Sequence, residues 1–195
     1  VSNSYYGMKV HAKAFLAIKE DGTGAAHIST GNYDTNRAKT FTDYQFITTD
    51  QKVCDELFLF FKALFRREPL LQVLDTFDEK IEHIFISPIS LRDRIIHELD
   101  TDVCQRVFMK CNSLCDRLIG EKINEAANRG IKISLYCRTA CTLIPKRNVR
   151  IRSRIGVNLE HGRMYQFDDR FYISSADCAM RNLNKRLELM LRIPD

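Results

Sequence analysis

The chain has 195 residues, 45% of them hydrophobic, with 30 Lys plus Arg against 25 Asp plus Glu and a net charge of +5. That apolar fraction supports a packed core and excludes a disordered chain, while 8 Gly and 4 Pro exclude a collagen-like or linker protein. The most apolar cluster, Leu57 to Phe61, is cut by Lys62 and falls far short of a membrane span.

No basic, apolar leader opens the sequence, so the expectation is a soluble intracellular protein. A mild positive charge suits an anionic ligand without demanding a nucleic acid. The seven cysteines are 54, 104, 111, 115, 137, 141 and 178, with no Cys-x-x-Cys pair and no His at ligand spacing beside them. They read as buried free thiols rather than a disulfide framework or a zinc site.

From the start, Val10, Ala12, Ala14, Leu16 and Ile18 alternate with His11, Lys13 and Phe15, which predicts one strand with two faces. Gly22-Thr23-Gly24 reads as a hairpin turn into a second strand near Ala26 to Thr30. Gly31-Asn32 ends that strand, and a loop runs to about Thr40. Asp50 is placed to cap a helix through Phe65, with Val53, Leu57, Phe60 and Leu64 on one stripe and Pro69 past its end.

Residues 66–82 look like a boundary between two units. A strand at His83 to Ile86 follows, then a helix opened by Ser90 and Asp93 and running to about Val103. Next come a strand at Val107 to Cys111 and a helix from about Leu114 to Arg129. Gly130 supplies the stop, and a strand follows at Ile131 to Cys137. Short strands at Val149 to Ile155, Glu160 to Phe167 and Phe171 to Ser174 complete a mixed α/β pattern.

One feature rises above composition. His11-Ala12-Lys13 is followed by Ile28-Ser29-Thr30-Gly31-Asn32, and His161-Gly162-Arg163 by Ile173-Ser174-Ser175-Ala176-Asp177. Each set has a His and a cation two residues apart, then a strand ending in aliphatic-Ser-(Ser/Thr)-small-(Asn/Asp). This is a degenerate internal repeat that pairs two histidines. A neutral imidazole is a competent nucleophile toward phosphorus, and a neighbouring cation neutralises phosphate oxygens. Phosphoryl or phosphodiester transfer is the chemistry such a pair suits.

With Thr42-Asp43-Tyr44, Leu159-Glu160-His161-x-Arg163-x-Tyr165 and Arg181-Asn182, these motifs resemble the type 1 polyphosphate kinases over essentially the whole chain. The resemblance implies a phospholipase-D-like α/β fold with mixed sheets and parts of two pseudo-repeated domains. Residues 1–70 would be the C-terminal part of the first domain and residues 78–195 most of the second. It implies a fragment of an enzyme that moves the γ-phosphate of ATP reversibly to inorganic polyphosphate through a phosphohistidine.

Under that resemblance His11 is the phosphorylated residue and His161 its catalytic partner at the nucleotide phosphates. Lys13, Asn32, Arg138, Arg163, Asp177, Arg181 and Arg186 bind phosphate or ATP, and Phe41 contacts the base. Mg²⁺ is expected, with ligands mostly outside this chain and no metal site within it. Further expectations are ATP or ADP and polyphosphate as partners and no nucleic acid. The parent would be a cytoplasmic homo-oligomer, with peripheral attachment to the inner membrane allowed. The chain alone would be inactive. Phe41, Val157-Asn158, Arg154 and Cys178 depart from the family pattern.

Two alternatives stand beside this reading, a phospholipase-D-like phosphodiesterase or nuclease and a folded but inactive polyanion-binding fragment. Asp168 follows His161 by seven residues, as in phospholipase D motifs, yet Ile18 holds that offset after His11; the asymmetry favours the kinase. His27 reads as structural, and His83 and His97 as surface residues. Arg150, Arg152 and Arg154 alternate on one strand face, either as a wall facing a polyanion or as a charged edge.

Overall fold

The computed structural model describes residues 4–66 and 81–194. Most of the boundary expected at residues 66–82, with Pro69, lies outside the described residues. The mixed α/β architecture expected from the sequence is what the chain adopts.

A hairpin of β3 (Ala14–Ile18) and β4 (Gly24–Ser29) turns at Gly22, whose φ of +85° favours glycine. Strand β6 (Gln45–Thr48), absent from the sequence reading, pairs with β4 to make a three-stranded antiparallel sheet. Helix α2 (Gln51–Arg66) packs on it through Val53, Leu57, Phe60 and Ala63, and Asp50 caps it by accepting from the Val53 N–H at 3.0 Å. The expected loop before Thr40 contains a short helix, α1 (Thr35–Thr40), because Asp34 accepts from the N–H groups of Asn36 and Arg37.

The second unit holds β7 (Ile84–Ser87), α3 (Leu91–Asp100), β8 (Arg106–Leu114), α4 (Arg117–Asn128), β9 (Lys132–Cys141) and β10 (Val149–Arg152). Strands β8, β9 and β10 run parallel. Helix α4 starts later than expected because Asp116, not Leu114, supplies the cap, and Gly130 at φ +92° ends it. Helix α3 stops at Thr101, short of Val103. The Ser90 hydroxyl accepts the upstream Ile86 N–H instead of capping the helix.

Strands β12 (Arg163–Phe167), β13 (Arg170–Ser174) and β14 (Arg186–Arg192) extend this sheet antiparallel, with α5 (Met180–Lys185) before β14. The sequence reading has no strand at β14, yet β14 is the wall shared by two cores. Leu187, Leu189 and Leu191 face α2 and β4 together with Ile84, Ile86 and Ile173. Met190, with Phe85 and Tyr172, faces the core built on α3 and α4.

Two expected strands are each broken at the histidine. Strand β2 (Met8–Val10), paired with β1 (Ser4–Tyr5), lies parallel to β14, and the chain then crosses at His11–Lys13 into the other sheet. Likewise β11 (Leu159–Glu160) pairs in parallel with β5 (Phe41–Thr42) before His161-Gly162 leads into β12. The reason is the same in both. The N–H groups of His11 and Ala12 share the carbonyl of Leu187, and those of His161 and Gly162 share that of Thr42, so regular pleating stops there.

His83, expected on the surface, is buried against Glu56 of α2. The Glu56 carboxylate accepts the backbone N–H groups of Glu82, His83 and Ile84 at 3.0, 3.0 and 2.7 Å, pinning the first unit's helix to β7. Glu56→Gln leaves one of these donors without its anionic acceptor and should cost about 1–3 kcal/mol, read from the denaturation midpoint. Lys52→Ala, which removes the exposed pair with Glu82, should change stability by less than about 0.5 kcal/mol. Equal losses from the two would show that Glu56 does not carry this joint.

Candidate active site

Each crossing sets a histidine against a carboxylate from the other unit. His11 Nδ1 lies 2.8 Å from Glu188 Oε2, and His161 Nδ1 lies 2.8 Å from Asp43 Oδ1. The supporting bonds match one for one. Thr30 Oγ1 donates to Asp43 at 2.7 Å, and Ser175 Oγ donates to Glu188 at 2.6 Å. The Gly31 N–H donates to Ser29 Oγ and the Ala176 N–H to Ser174 Oγ, both at 3.0 Å. The Tyr44 N–H donates to Thr30 Oγ1 and the Leu189 N–H to Ser175 Oγ, again both at 3.0 Å.

Two glycines permit this closeness. A Cβ at Gly31 would lie 2.1 Å from Asp43 Oδ2, and one at Gly162 would lie 2.7 Å from the Tyr44 ring. Glu188 has no exposure at all; besides His11 and Ser175 it accepts from Asn182 Nδ2 at 2.8 Å and has Arg186 Nη1 at 3.8 Å.

Burial is the main influence on His11 and, against the opposing Glu188 hydrogen bond, holds its pKa below the usual 6.5. The ring is therefore neutral at neutral pH. With Nδ1–H donated to Glu188, Nε2 carries the free lone pair, and it has no partner among the described residues. Lys13 is only 6% exposed, and its ammonium donates to the His11 carbonyl. Burial pushes Lys13 down to about 7; Glu188 and Asp43 oppose this, and Arg163 and Arg186 add to it. Lys13 thus sits in the field of both units. Burial alone would raise the Asp43 carboxyl, but hydrogen bonds from His161 and Thr30 outweigh it and keep the group ionised.

A cleft of about 220 Å³ opens beside His11, lined by Lys9, Lys13, Asn32, Tyr33 and Arg37. Arg163 Nη1 lies 3.1 Å from His161 Nε2, while its Nε and Nη2 reach the two oxygens of Asp177 at 3.1 and 3.2 Å. Asp177 also accepts the Asn112 N–H at 2.7 Å, and Asn112 Oδ1 accepts from Arg138 Nε at 2.7 Å. The carboxylate of Asp177 is thus turned toward cations and holds Arg163 in place. The Phe41 ring packs on His161, with centroids 5.1 Å apart. Arg186 stands by His11, whereas Arg181 is exposed on α5 and has no partner among the described residues.

Other sequence candidates fall elsewhere. His27 bonds Gln45 and packs on Tyr33, and His97 is exposed. Asp168 receives the N–H groups of Gln105 and Arg106 where β8 begins, away from the histidines. All seven cysteines are free; five are buried and Cys115 and Cys141 are half-buried. The residues that sequence reasoning left out of the site are Glu188, Asp43, Asn112, Lys9 and Arg37. A signal for the two carboxylates was present: Asp43 follows Asn32, and Glu188 follows Asp177, by the same eleven positions.

Comparison with known proteins places the chain in a family. Residues 1–69 match the family model described as polyphosphate kinase C-terminal domain 1, and residues 84–195 match C-terminal domain 2. The polyphosphate kinases of Staphylococcus haemolyticus and Helicobacter pylori are 34% and 31% identical over 97% and 95% of this chain, which spans 28% of each. The polyphosphate kinase structure from Porphyromonas gingivalis superposes with a TM-score of 0.82 at 26% identity, over 98% of this chain and 32% of that one. Yeast tyrosyl-DNA phosphodiesterase shares the fold alone, with a TM-score of 0.57 at 10% identity over 94% of this chain and 67% of that one. The chain belongs to the polyphosphate kinase family, of whose C-terminal region it forms a part.

Proposed function

We propose that the longer protein carrying this chain transfers the γ-phosphate of ATP reversibly to inorganic polyphosphate, with His11 as nucleophile. The observation that supports this most is the neutral, Glu188-oriented His11 with an unpartnered Nε2 beside buried Lys13. In this reading the Nε2 lone pair attacks the γ-phosphorus; an N–P bond forms, the bond to the bridging oxygen breaks, and ADP leaves. The Nδ1 proton stays on the ring, directed at Glu188, which offsets the positive charge growing on the imidazole. A terminal oxygen of polyphosphate then attacks the same phosphorus and releases His11.

Lys13, Arg163 and Arg186 take the phosphate oxygens, Asn32 lines the cleft, and Phe41 lies against the base. His161, held at Nδ1 by Asp43 and facing Arg163 at Nε2, stands at the nucleotide phosphates. Among the described residues no group of three or more His, Cys, Asp or Glu side chains is disposed to hold a metal ion, and Asp43 and Glu188 are committed to the histidines. These residues do not form a magnesium cage, and no step here passes through the ion.

His11→Ala in the full-length parent should abolish acid-labile, alkali-stable ³²P labelling from γ-labelled ATP. Undiminished labelling would remove His11 from the role. Glu188→Gln keeps an acceptor but loses the charge, and should lower kcat on the order of 100-fold with little change in KM.

Lys13 loses its charge as pH rises through about 7 in the free protein, so KM for ATP should climb between pH 7 and 9. Lys13→Arg, which stays protonated, should flatten that limb; a limb of unchanged shape assigns it to another group. The 195-residue chain alone should make no polyphosphate, because an incomplete set of cations cannot position the nucleotide. Synthesis by the isolated chain would contradict that.

A further inference from the structure

Outside the histidine cleft lies one strongly basic surface. Helices α3 and α4 cover only the face of β8–β10 that carries Val107, Met109, Ile133 and Leu135. The register sets the rows of the opposite face. Arg106 stands beside Lys132, Arg150 beside Ser134, and Arg152 beside Tyr136; at the other end Arg138 donates to Asn112, whose N–H is bonded to Asp177. From Lys132 to Arg138 the strand covers about 20 Å. A hollow of about 780 Å³ opens at the far end between Arg106, Lys132 and Arg150.

Arg106, Lys132, Arg150 and Arg152 are exposed, and none of their side chains has a hydrogen-bond or ion-pair partner among the described residues. The nearby acids are engaged. Glu160 accepts from Lys110 at 2.8 Å with Arg154 at 4.0 Å, and Asp168 faces backbone N–H groups. Protection of an edge strand needs one such charge on β10. It does not account for Arg106 and Lys132 on the inner strands.

We propose that this face is an extended docking track for a linear inorganic polyphosphate, running from Arg138, which is joined through Asn112 and Asp177 to Arg163 beside His161, down to Arg106 and Lys132. The inference rests on the phosphotransfer reading above, since it gives the polymer bound at His11 a path away from the cleft. The face suits a chain of phosphates without bases. Ser134 and Gln166 lie between the cations, and the two aromatic rings, Phe108 and Tyr136, are half-buried and lean on each other at 6.2 Å, leaving no free stacking platform.

The test is binding of long-chain polyphosphate, tripolyphosphate and an oligo-dT to the 195-residue chain and to an Arg150→Ser/Arg152→Ser variant across a salt series. Long-chain affinity should fall at least tenfold in the variant. The slope of log affinity on log salt should become shallower by roughly 0.7–0.9 per lost cation. Tripolyphosphate, too short to leave the cleft, should bind both proteins equally and lose affinity in Lys13→Ala. Unchanged long-chain affinity and slope would overturn the track while leaving the cleft reading intact. Tripolyphosphate binding indifferent to Lys13→Ala would count against the cleft reading instead. Oligo-dT bound more tightly than polyphosphate and weakened by the double variant would make the face a nucleic-acid surface and overturn the proposal.

Discussion

The structure turns on a reciprocal pair of imidazole–carboxylate hydrogen bonds, each made between the two units of the chain. A carboxylate buried as fully as Glu188 is costly unless its oxygens are filled. They are filled by His11 from the first unit and by Ser175, Asn182 and Arg186 from the second. Asp43 repeats the arrangement with His161 and Thr30. The groups that orient the histidines are therefore also those that join the units, and neither unit alone contains a complete histidine–carboxylate pair.

Burial does the chemical tuning. It leaves His11 neutral, with its lone pair on Nε2, and it strips water from Lys13, lowering its pKa against the opposing pull of Glu188 and Asp43. Arg163 is treated differently. Asp177 holds its guanidinium in a fixed plane, Asn112 donates to Asp177, and Arg138 is tied to Asn112 in the same chain of hydrogen bonds. Fixed donors of this kind need no reorganisation when charge develops.

Features governed by local chemistry could be read from the sequence: the turn at Gly22, the Asp50 cap, the Gly130 stop and the two histidine motifs. What could not be read depends on contacts distant in sequence. Strand β14 is flanked by arginines, carries Glu188, and is buried on both faces, so it lacks the alternation that marks a half-exposed strand. The breaks at His11 and His161 arise because Leu187 and Thr42 each accept two N–H groups, which no local pattern signals. His83 looks like any surface histidine until Glu56, far off in sequence, is placed beside it. Asp43 and Glu188 left a spacing signal, but their targets belong to the opposite repeat.

Residue i of one repeat meeting residue j of the other, while j meets i, is the rule of an isologous dimer interface, here obeyed inside a single polypeptide. A lone phosphorus atom can react at only one histidine at a time, so a perfectly twofold site would leave its choice undecided. The two copies do depart from that symmetry. Where the second repeat has Asp177 to clamp Arg163, the first has uncharged Asn32 and leaves Lys13 without a neighbouring carboxylate of that kind. The two copies of one motif therefore present an anion with different cations: Arg163 clamped in place by Asp177, and Lys13 buried with its ammonium on the His11 carbonyl.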